Sequence, residues 1–477
     1  MKLFPFQFRT LSSGVLFSNP AGDFFQSDER LLGRMAVGDL QPTEWAFLQR
    51  QGFACEDPGD FYYNSFRQRL HEKKAIPNRL NYIIAVPTLR CDLSCRYCQV
   101  SRVGEKVQGY DWSEETLARF LSFLDHLESS TLKLEFQGGE PILRMDLLER
   151  IIAHCQERFD AAEFVICTAL NTLPNRLLRL MAQDNVYLST SLDGPSELHS
   201  RNRTRSPEAT RRFENHLRRL LDSFGPERIH FLPTVMPNDF HRLPEIIDAY
   251  RAWGCDGIYL RSASFHGFAR KQLPTEMADQ SALADRWVAA YSVAMEHLFR
   301  CNTEGGPMIR EFNLSQMLRR IFKRSANHHV DLRSPNPAAR DALLVNWDGR
   351  FYPSDEARML AAIGHSDLSI GSLACGYDQE KIAQLNWNQM NEVHESCIHC
   401  VYQAYCGIDM IDDLARCDRI DVPKEGSWFC RVQMGLFDFV FNKLLGNNPV
   451  DLFNLSGHLN GHFSHTPFYG RFYYDPA

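Results

Sequence analysis

Thr88-Leu89-Arg90-Cys91-Asp92-Leu93-Ser94-Cys95-Arg96-Tyr97-Cys98-Gln99 is the stretch that decides how this chain is read. It follows at once on an apolar, β-rich run, Tyr82-Ile83-Ile84-Ala85-Val86, so it forms the loop at the end of a strand. The spacing is Cys-x3-Cys-x2-Cys, with the aromatic Tyr97 just before the third thiol. Three thiolates on one tight loop can hold three corners of a four-iron cluster, because soft sulfur ligands suit iron–sulfur chemistry. The fourth iron then lacks a protein ligand, and an open metal position marks a catalytic rather than a structural site.

Outward from this loop, strand and helix patterns alternate from Leu80 to about Arg261. Strand candidates are Tyr82–Val86, 132–136, 163–168, 186–192, 228–235 and 256–260, with helical patterns at 114–127, 145–159, 174–183, 207–224 and 243–253 between them. Asp111 and Glu114 suggest a capping box for the first of these helices. Strands joined by helical crossovers imply an α/β fold with a parallel sheet, and six units rather than eight favour a partial (β/α)6 barrel. In such barrels the active site lies at the carboxyl ends of the strands. Cys91–Cys98 follow the first strand, Gln137-Gly138-Gly139-Glu140-Pro141 the second, and Ser191-Leu192-Asp193-Gly194-Pro195 the fourth. Either later loop alone reads as a plain turn or helix lead-in; with the cysteines they read as one site.

The chain has 477 residues, enough for two or three domains. Residues 1–75 look like a separate winged-helix-like module: three short β-like runs, the turn Asn19-Pro20-Ala21-Gly22, then two amphipathic helices. Barrel residues 76–265 are followed by a helical connection at 266–340, a region 341–445 that opens with a β-hairpin about Asp348-Gly349, and a tail at 446–477 rich in His, Gly, Phe and Tyr. A net charge of −7 argues against nucleic acid as a partner, and the first module is therefore assigned to peptide. No apolar run reaches membrane-spanning length and no secretory signal opens the chain, so a cytoplasmic location is expected. Of 14 cysteines, Cys55, Cys155, Cys167, Cys255 and Cys301 are scattered and read as small buried hydrophobes. The rest form two groups, which in a reducing compartment read as metal ligands.

The Cys-x3-Cys-x2-Cys loop followed by Gly-Gly-Glu-Pro resembles the radical S-adenosylmethionine (SAM) superfamily. That resemblance implies that Cys91, Cys95 and Cys98 hold a [4Fe–4S] cluster whose unique iron is chelated by SAM. Tyr97 would border the adenine, while carbonyls of the Gly138–Gly139–Glu140–Pro141 loop and Glu140 itself receive the SAM ammonium. Ser191 and Asp193 match positions that contact ribose or methionine, and Asn171 and Arg203 match weaker ones. The implied chemistry is reductive cleavage of SAM to methionine and a 5′-deoxyadenosyl radical, which abstracts hydrogen from an unactivated carbon. No catalytic residue beyond the SAM cluster is assigned.

The second group comprises Cys375, Cys397-x2-Cys400-x5-Cys406, Cys417 and Cys430. Its spacing alone allows a zinc ribbon. It also resembles the SPASM extension of peptide-modifying radical SAM enzymes, which implies an auxiliary [4Fe–4S] cluster on Cys397, Cys400, Cys406 and Cys430. A second auxiliary cluster is not expected: Ser354 and Met410 stand where the pattern has cysteine, leaving only Cys375 and a displaced Cys417 as possible ligands. Phe4-Pro-Phe-Gln-Phe-Arg, Asn346-Trp-Asp-Gly-Arg-Phe-Tyr-Pro-Ser-Asp-Glu-Ala-Arg and Tyr402-Gln-Ala-Tyr-Cys-Gly resemble the maturases of His-Xaa-Ser peptide systems, of HxsB type. This implies a ribosomally made precursor peptide as substrate, a second radical SAM protein as partner, and an electron donor such as flavodoxin or ferredoxin. The alternatives are a sulfatase-type maturase, which would need a carboxylate where Gly376 stands with Asp378 nearby, and a non-catalytic peptide-binding scaffold. Asp355, Glu356 and Asp378 read as solvated acids, and His458, His462 and His465 as part of a flexible polar tail.

Overall fold

The computed structural model describes residues 1–76, 79–272, 277–323 and 332–460; His462, His465 and the rest of the tail beyond Asn460 lie outside the described residues. The centre is a seven-stranded sheet in the order Ile229–Phe231, Val186–Thr190, Ala161–Cys167, Thr131–Gly138, Tyr82–Thr88, Ala342–Val345 and Phe351–Tyr352. All neighbours run parallel except the last pair. Tyr82–Thr88 is buried at every position, as a central strand covered on both faces requires. The α/β partial barrel expected from the sequence is present, and its βα loops bring the cysteine loop and the two later loops to one end.

Three details depart from the sequence reading. The expected strand 228–235 divides at Leu232-Pro233 into Ile229–Phe231 and Thr234–Val235, because proline has no N–H to give the ladder. Gly257–Ile258 stays out of the main sheet and pairs with Arg310–Glu311. On the other side of the sheet Ala342–Val345, the first strand of the hairpin, lies beside Tyr82–Thr88 with Leu343 opposite Ile83, and Phe351–Tyr352 forms the edge. Trp112 fastens this edge by donating Nε1–H to the Asn346 carbonyl at 2.9 Å. Helix Glu114–Asp125 is capped by Ser113, not Asp111: Ser113 Oγ accepts from the Thr116 N–H. Asp111 is drawn away by Arg90, Arg144 and the Thr88 hydroxyl.

Near the N-terminus, Gln7–Leu11, Gly14–Ser18 and Phe24–Ser27 form an antiparallel sheet, followed by helices Glu29–Val37, Pro42–Arg50 and Phe61–Lys74. Val15, Phe17, Phe25, Leu31, Leu48 and Phe53 give it a small core of its own. This sheet docks on the far end of the chain. Arg9 makes a two-pronged ion pair with Asp438 at 2.7 and 2.8 Å, Asp438 also accepts from Tyr402 Oη, and Phe24 meets Phe441 edge-on.

Helices Met277–Thr303 and Trp428–Leu445 pack along each other beside the barrel. The tail, which the sequence leaves open between packing on the body and staying mobile, begins with a helix, Pro449–Asn460. His458, read from sequence as part of a mobile segment, is fully buried there: Nδ1 bonds the Asn454 carbonyl and Nε2 accepts from the Glu311 N–H. No helix among the described residues is long and apolar enough to cross a membrane.

Candidate active site

The cysteine loop is shaped by its neighbours before any metal is considered. Leu93 N–H points at Cys91 Sγ (3.4 Å), Arg96 N–H bonds the Asn202 carbonyl, and Phe268 N–H bonds the Cys98 carbonyl at 3.0 Å. A Cβ on Gly267 would lie 2.5 Å from that same carbonyl, so only glycine lets the 267 segment lie against the loop. Cys91, Cys95 and Cys98 line one cavity of about 320 Å³ together with Tyr97, Gly138, Gly139, Ser191 and Arg203. Burial raises the thiols of Cys91 and Cys95 above their ordinary values.

The Gly-Gly-Glu-Pro loop is held against the strand that leads into the cysteines. Gly139 N–H bonds Thr88 O at 3.0 Å and Glu140 N–H bonds Arg90 O at 2.7 Å. A Cβ on Gly139 would meet Arg90 O at 2.2 Å, and one on Gly138, at φ +130°, would meet Thr88 O at 2.2 Å. The close approach these glycines permit is therefore to the protein's own backbone. Glu140 and Pro141 do not line the cavity. The Glu140 carboxyl is buried, accepts from the N–H groups of Ala169 (2.8 Å) and Ile142, and is pushed by burial to about 7.

Asp193 and Asn171 act one layer behind the cavity wall. Tyr97 Oη donates to both Asp193 oxygens at 2.7 and 2.8 Å and accepts from Arg203 Nη1 at 2.9 Å. Arg203 sits on a wide π-type turn, Ser200–Thr204, which aims it into the cavity. Burial opposes its charge, but Cys95, Tyr97 and Asp193 outweigh that and hold the guanidinium protonated. Asn171 donates to Asp92 Oδ2 within the cysteine loop and accepts from Arg212.

Several cavity residues escaped the sequence reading. Glu135 and Cys167 face it side by side, with Cys167 Sγ donating to Glu135 Oε1 at 3.2 Å, so Cys167 is not the inert core thiol expected. Burial raises the Glu135 carboxyl, while bonds from Gln137 and Tyr82 oppose that rise. The available signal was Lys133 and Glu135 two apart in an otherwise apolar central strand. Asp355 and Glu356, expected on the solvated surface, also line the cavity; they open helix Asp355–Ala362, capped by Ser354. Thr190 Oγ1 and both His266 ring nitrogens are buried in this wall without a hydrogen-bond partner among the described residues. Unsatisfied buried donors and acceptors fit a polar guest, as a SAM-sized cofactor is.

Cys397, Cys400, Cys406 and Cys430 line a second cavity, of about 240 Å³, between the N-terminal sheet and helix Trp428–Leu445. Cys430 is placed by the Ser427 cap of that helix, and Tyr402 N–H points at Cys400 Sγ (3.4 Å). Cys375 and Cys417 line neither cavity. Cys375 is exposed on the turn between Gly371–Ser372 and Gly376–Tyr377, and Cys417 ends helix Met410–Cys417. Ser354 caps a helix and Met410 is buried at the start of another. Asp409 lies on the wall of both cavities.

Residues 85–260 match the family model of the radical SAM superfamily. An uncharacterized protein of Methanocaldococcus jannaschii is 25% identical over 117 residues, 24% of this chain and 39% of that protein. The cysteine-type anaerobic sulfatase-maturating enzyme of Clostridium perfringens is 25% identical over 132 residues, 26% of this chain and 35% of the enzyme. The chain thus matches less than half the length of these curated relatives. Among solved structures, native anSMEcpe with bound AdoMet and Cp18Cys peptide superposes with a TM-score of 0.56 at 16% identity, covering 77% of this chain and 98% of that one, which is a likeness of fold. Residues 85–260 constitute a radical SAM domain, of a superfamily that uses S-adenosylmethionine and a [4Fe–4S] cluster.

Proposed function

We propose that the protein is a cytoplasmic radical SAM enzyme that modifies a ribosomally made peptide of the His-Xaa-Ser type. The observation that carries the reading is the meeting of Cys91, Cys95 and Cys98 with Gly138, Gly139, Ser191, Tyr97 and Arg203 in one cavity, with Asp193 holding the Tyr97 hydroxyl from behind its wall. When bound, the reduced cluster supplies the electron that splits SAM and so starts hydrogen abstraction from substrate. The chain's own residues have separable tasks. Cys91, Cys95 and Cys98 would hold the cluster, and Gly138 and Gly139 would present backbone to the cofactor. Asp193 fixes the Tyr97 hydroxyl, and Arg203 keeps a positive charge beside Cys95. Glu135, in the wall and hydrogen-bonded to Cys167, is placed to hold a proton.

The four clustered cysteines at 397–430 would carry one auxiliary [4Fe–4S] cluster, with Cys375 and Cys417 left out. The N-terminal sheet offers two edges, Gln7–Leu11 and Phe24–Ser27, to which a leader segment can add as a strand. A second radical SAM protein and a flavodoxin- or ferredoxin-type electron donor complete the proposed system.

A sulfatase-type reading draws support from the relative of that activity, but Asp378 is occupied as a helix cap, accepting from Lys381 N–H, and lines neither cavity. Mass spectrometry of the candidate peptide coexpressed with the protein, with and without Cys95→Ala, tests the proposal. A mass change on the peptide that needs Cys95 supports it; oxidation of a sulfatase Cys or Ser instead supports the second reading. Reconstituted chain should hold about eight irons, two four-iron clusters, and about twelve would defeat the single auxiliary cluster. No 5′-deoxyadenosine on anaerobic incubation with SAM and dithionite would leave only a peptide-binding scaffold.

A further inference from the structure

Away from both thiol-lined cavities, the described residues bring one further set of metal-type donors together. Helix Leu243–Ala252, the last of the barrel, packs against helix Met277–Thr303. Asp248 on the first helix and His297 and Cys301 on the second place a carboxylate oxygen, an imidazole nitrogen and a thiol sulfur within 4.8 Å of one another. His297 and Cys301 are four residues apart, so they share one face of their helix a turn apart. His297 Nε2 lies 2.8 Å from Asp248 Oδ1 and 3.6 Å from Cys301 Sγ.

These separations can be compared with what a metal demands. A tetrahedral zinc ion with its usual Zn–N and Zn–S bond lengths subtends an N···S edge of about 3.6 Å. The imidazole and the sulfur already stand at that distance. The corresponding N···O edge is about 3.3–3.4 Å, so Asp248 must retreat by about half an ångström. Its side chain is about half exposed and is free to do so, whereas Cys301 is buried beneath it. The set therefore opens outward, leaving a fourth position to solvent. Burial disfavours the Cys301 thiolate, as do Asp248 and Glu304, while Arg251 favours it.

We propose that Asp248, His297 and Cys301 form a site for a four-coordinate divalent metal ion of the zinc class, with water as the fourth ligand. The ion would clamp the last barrel helix to the long helix that packs, elsewhere along its length, on the helix carrying Cys430. It would thus brace the barrel against the second cysteine region without taking part in SAM chemistry. The bland alternative is a surface His–Asp pair beside a buried thiol.

Full-length protein, loaded anaerobically with its iron and sulfide, is equilibrated with zinc chloride and desalted, and zinc and iron are counted by mass spectrometry. About one zinc per chain is expected, with X-ray absorption showing a single sulfur among nitrogen and oxygen neighbours. His297→Ala and Cys301→Ser should each lower retained zinc about tenfold or more with iron unchanged. Failure to retain zinc, equal retention by wild type and both variants, or an all-sulfur shell that places the zinc on the 397–430 cysteines would each overturn the assignment.

Discussion

At the scale of single residues, the site is built as much by missing side chains as by present ones. Gly139 lies so close to Arg90 O and Leu89 O that an added methyl has only backbone to displace. Gly139→Ala is expected to cost about 1–3 kcal/mol in a urea titration and to abolish 5′-deoxyadenosine formation. Gly33, exposed in helix Glu29–Val37 with nothing within 4 Å of its Cβ, is the control: its alanine variant should gain about 0.4–1 kcal/mol. Equal stability of the two variants would refute the argument. The same residues show what sequence can convey about a site. Cysteine spacing and a glycine pair after a strand are local, so Cys91–Cys98 and Gly138–Gly139 could be read from the chain. Glu135, Cys167, Thr190 and His266 reach the same cavity from four separate segments; only Glu135 leaves a local sign, as a charged residue in an apolar central strand, and nothing in the spacing of the other three announces it.

At the scale of elements, helix Pro449–Asn460 is held by a histidine that must stay neutral, because His458 Nε2 accepts the Glu311 N–H. Burial is the main cause that lowers His458 from 6.5 to about 4. The unfolded chain therefore binds the proton first on acidification: the stabilising contribution is whole above pH 6.5 and fades as pH falls towards 4. Glu311 and Glu140, both pushed to about 7, act in the opposite sense, losing stability as pH rises from 4.5 to 7. The difference between wild type and His458→Gln isolates the histidine. Between pH 7 and pH 5, wild type should lose about 2 kcal/mol more than the variant in urea unfolding. Parallel losses would show that His458 does not govern this helix end. Sequence placed the five helices it named between the barrel strands within about two residues, since amphipathic period and caps are local properties. It missed the order at 449–460 because that order comes from burial against Glu311 and helix Phe312–Phe322.

At the scale of the whole molecule, the first and last parts of the chain meet. Arg9, Asp438 and Tyr402 form one hydrogen-bonded unit beside the wall of the second cysteine cavity. Because Arg9 and Asp438 are about one-third exposed, solvent screens the pair, and Asp438→Ala should cost only about 1 kcal/mol overall. Hydrogen exchange should report it locally, faster in Gln7–Leu11 and Gly14–Ser18 and unchanged in Tyr82–Thr88. A uniform rise across the chain would mean that the contact does not act as a docking point. Long-range placement of this kind, like the hairpin strand at the barrel edge, leaves no periodic trace in sequence, which is why the α/β class was legible and the edge partner was not.

That edge partner carries a consequence for how the protein comes into being. Tyr82–Thr88, the strand that delivers the cysteine loop, completes its hydrogen bonding only when Ala342–Val345 arrives, more than half the chain later. On the ribosome it therefore waits as a bare, apolar strand edge, a template for pairing with other chains. Pairing of such sequence-distant segments is slow. The cysteine loop is thus fixed in its final setting late in synthesis, and a chain cut short before residue 342 would present the thiols on a scaffold prone to self-association.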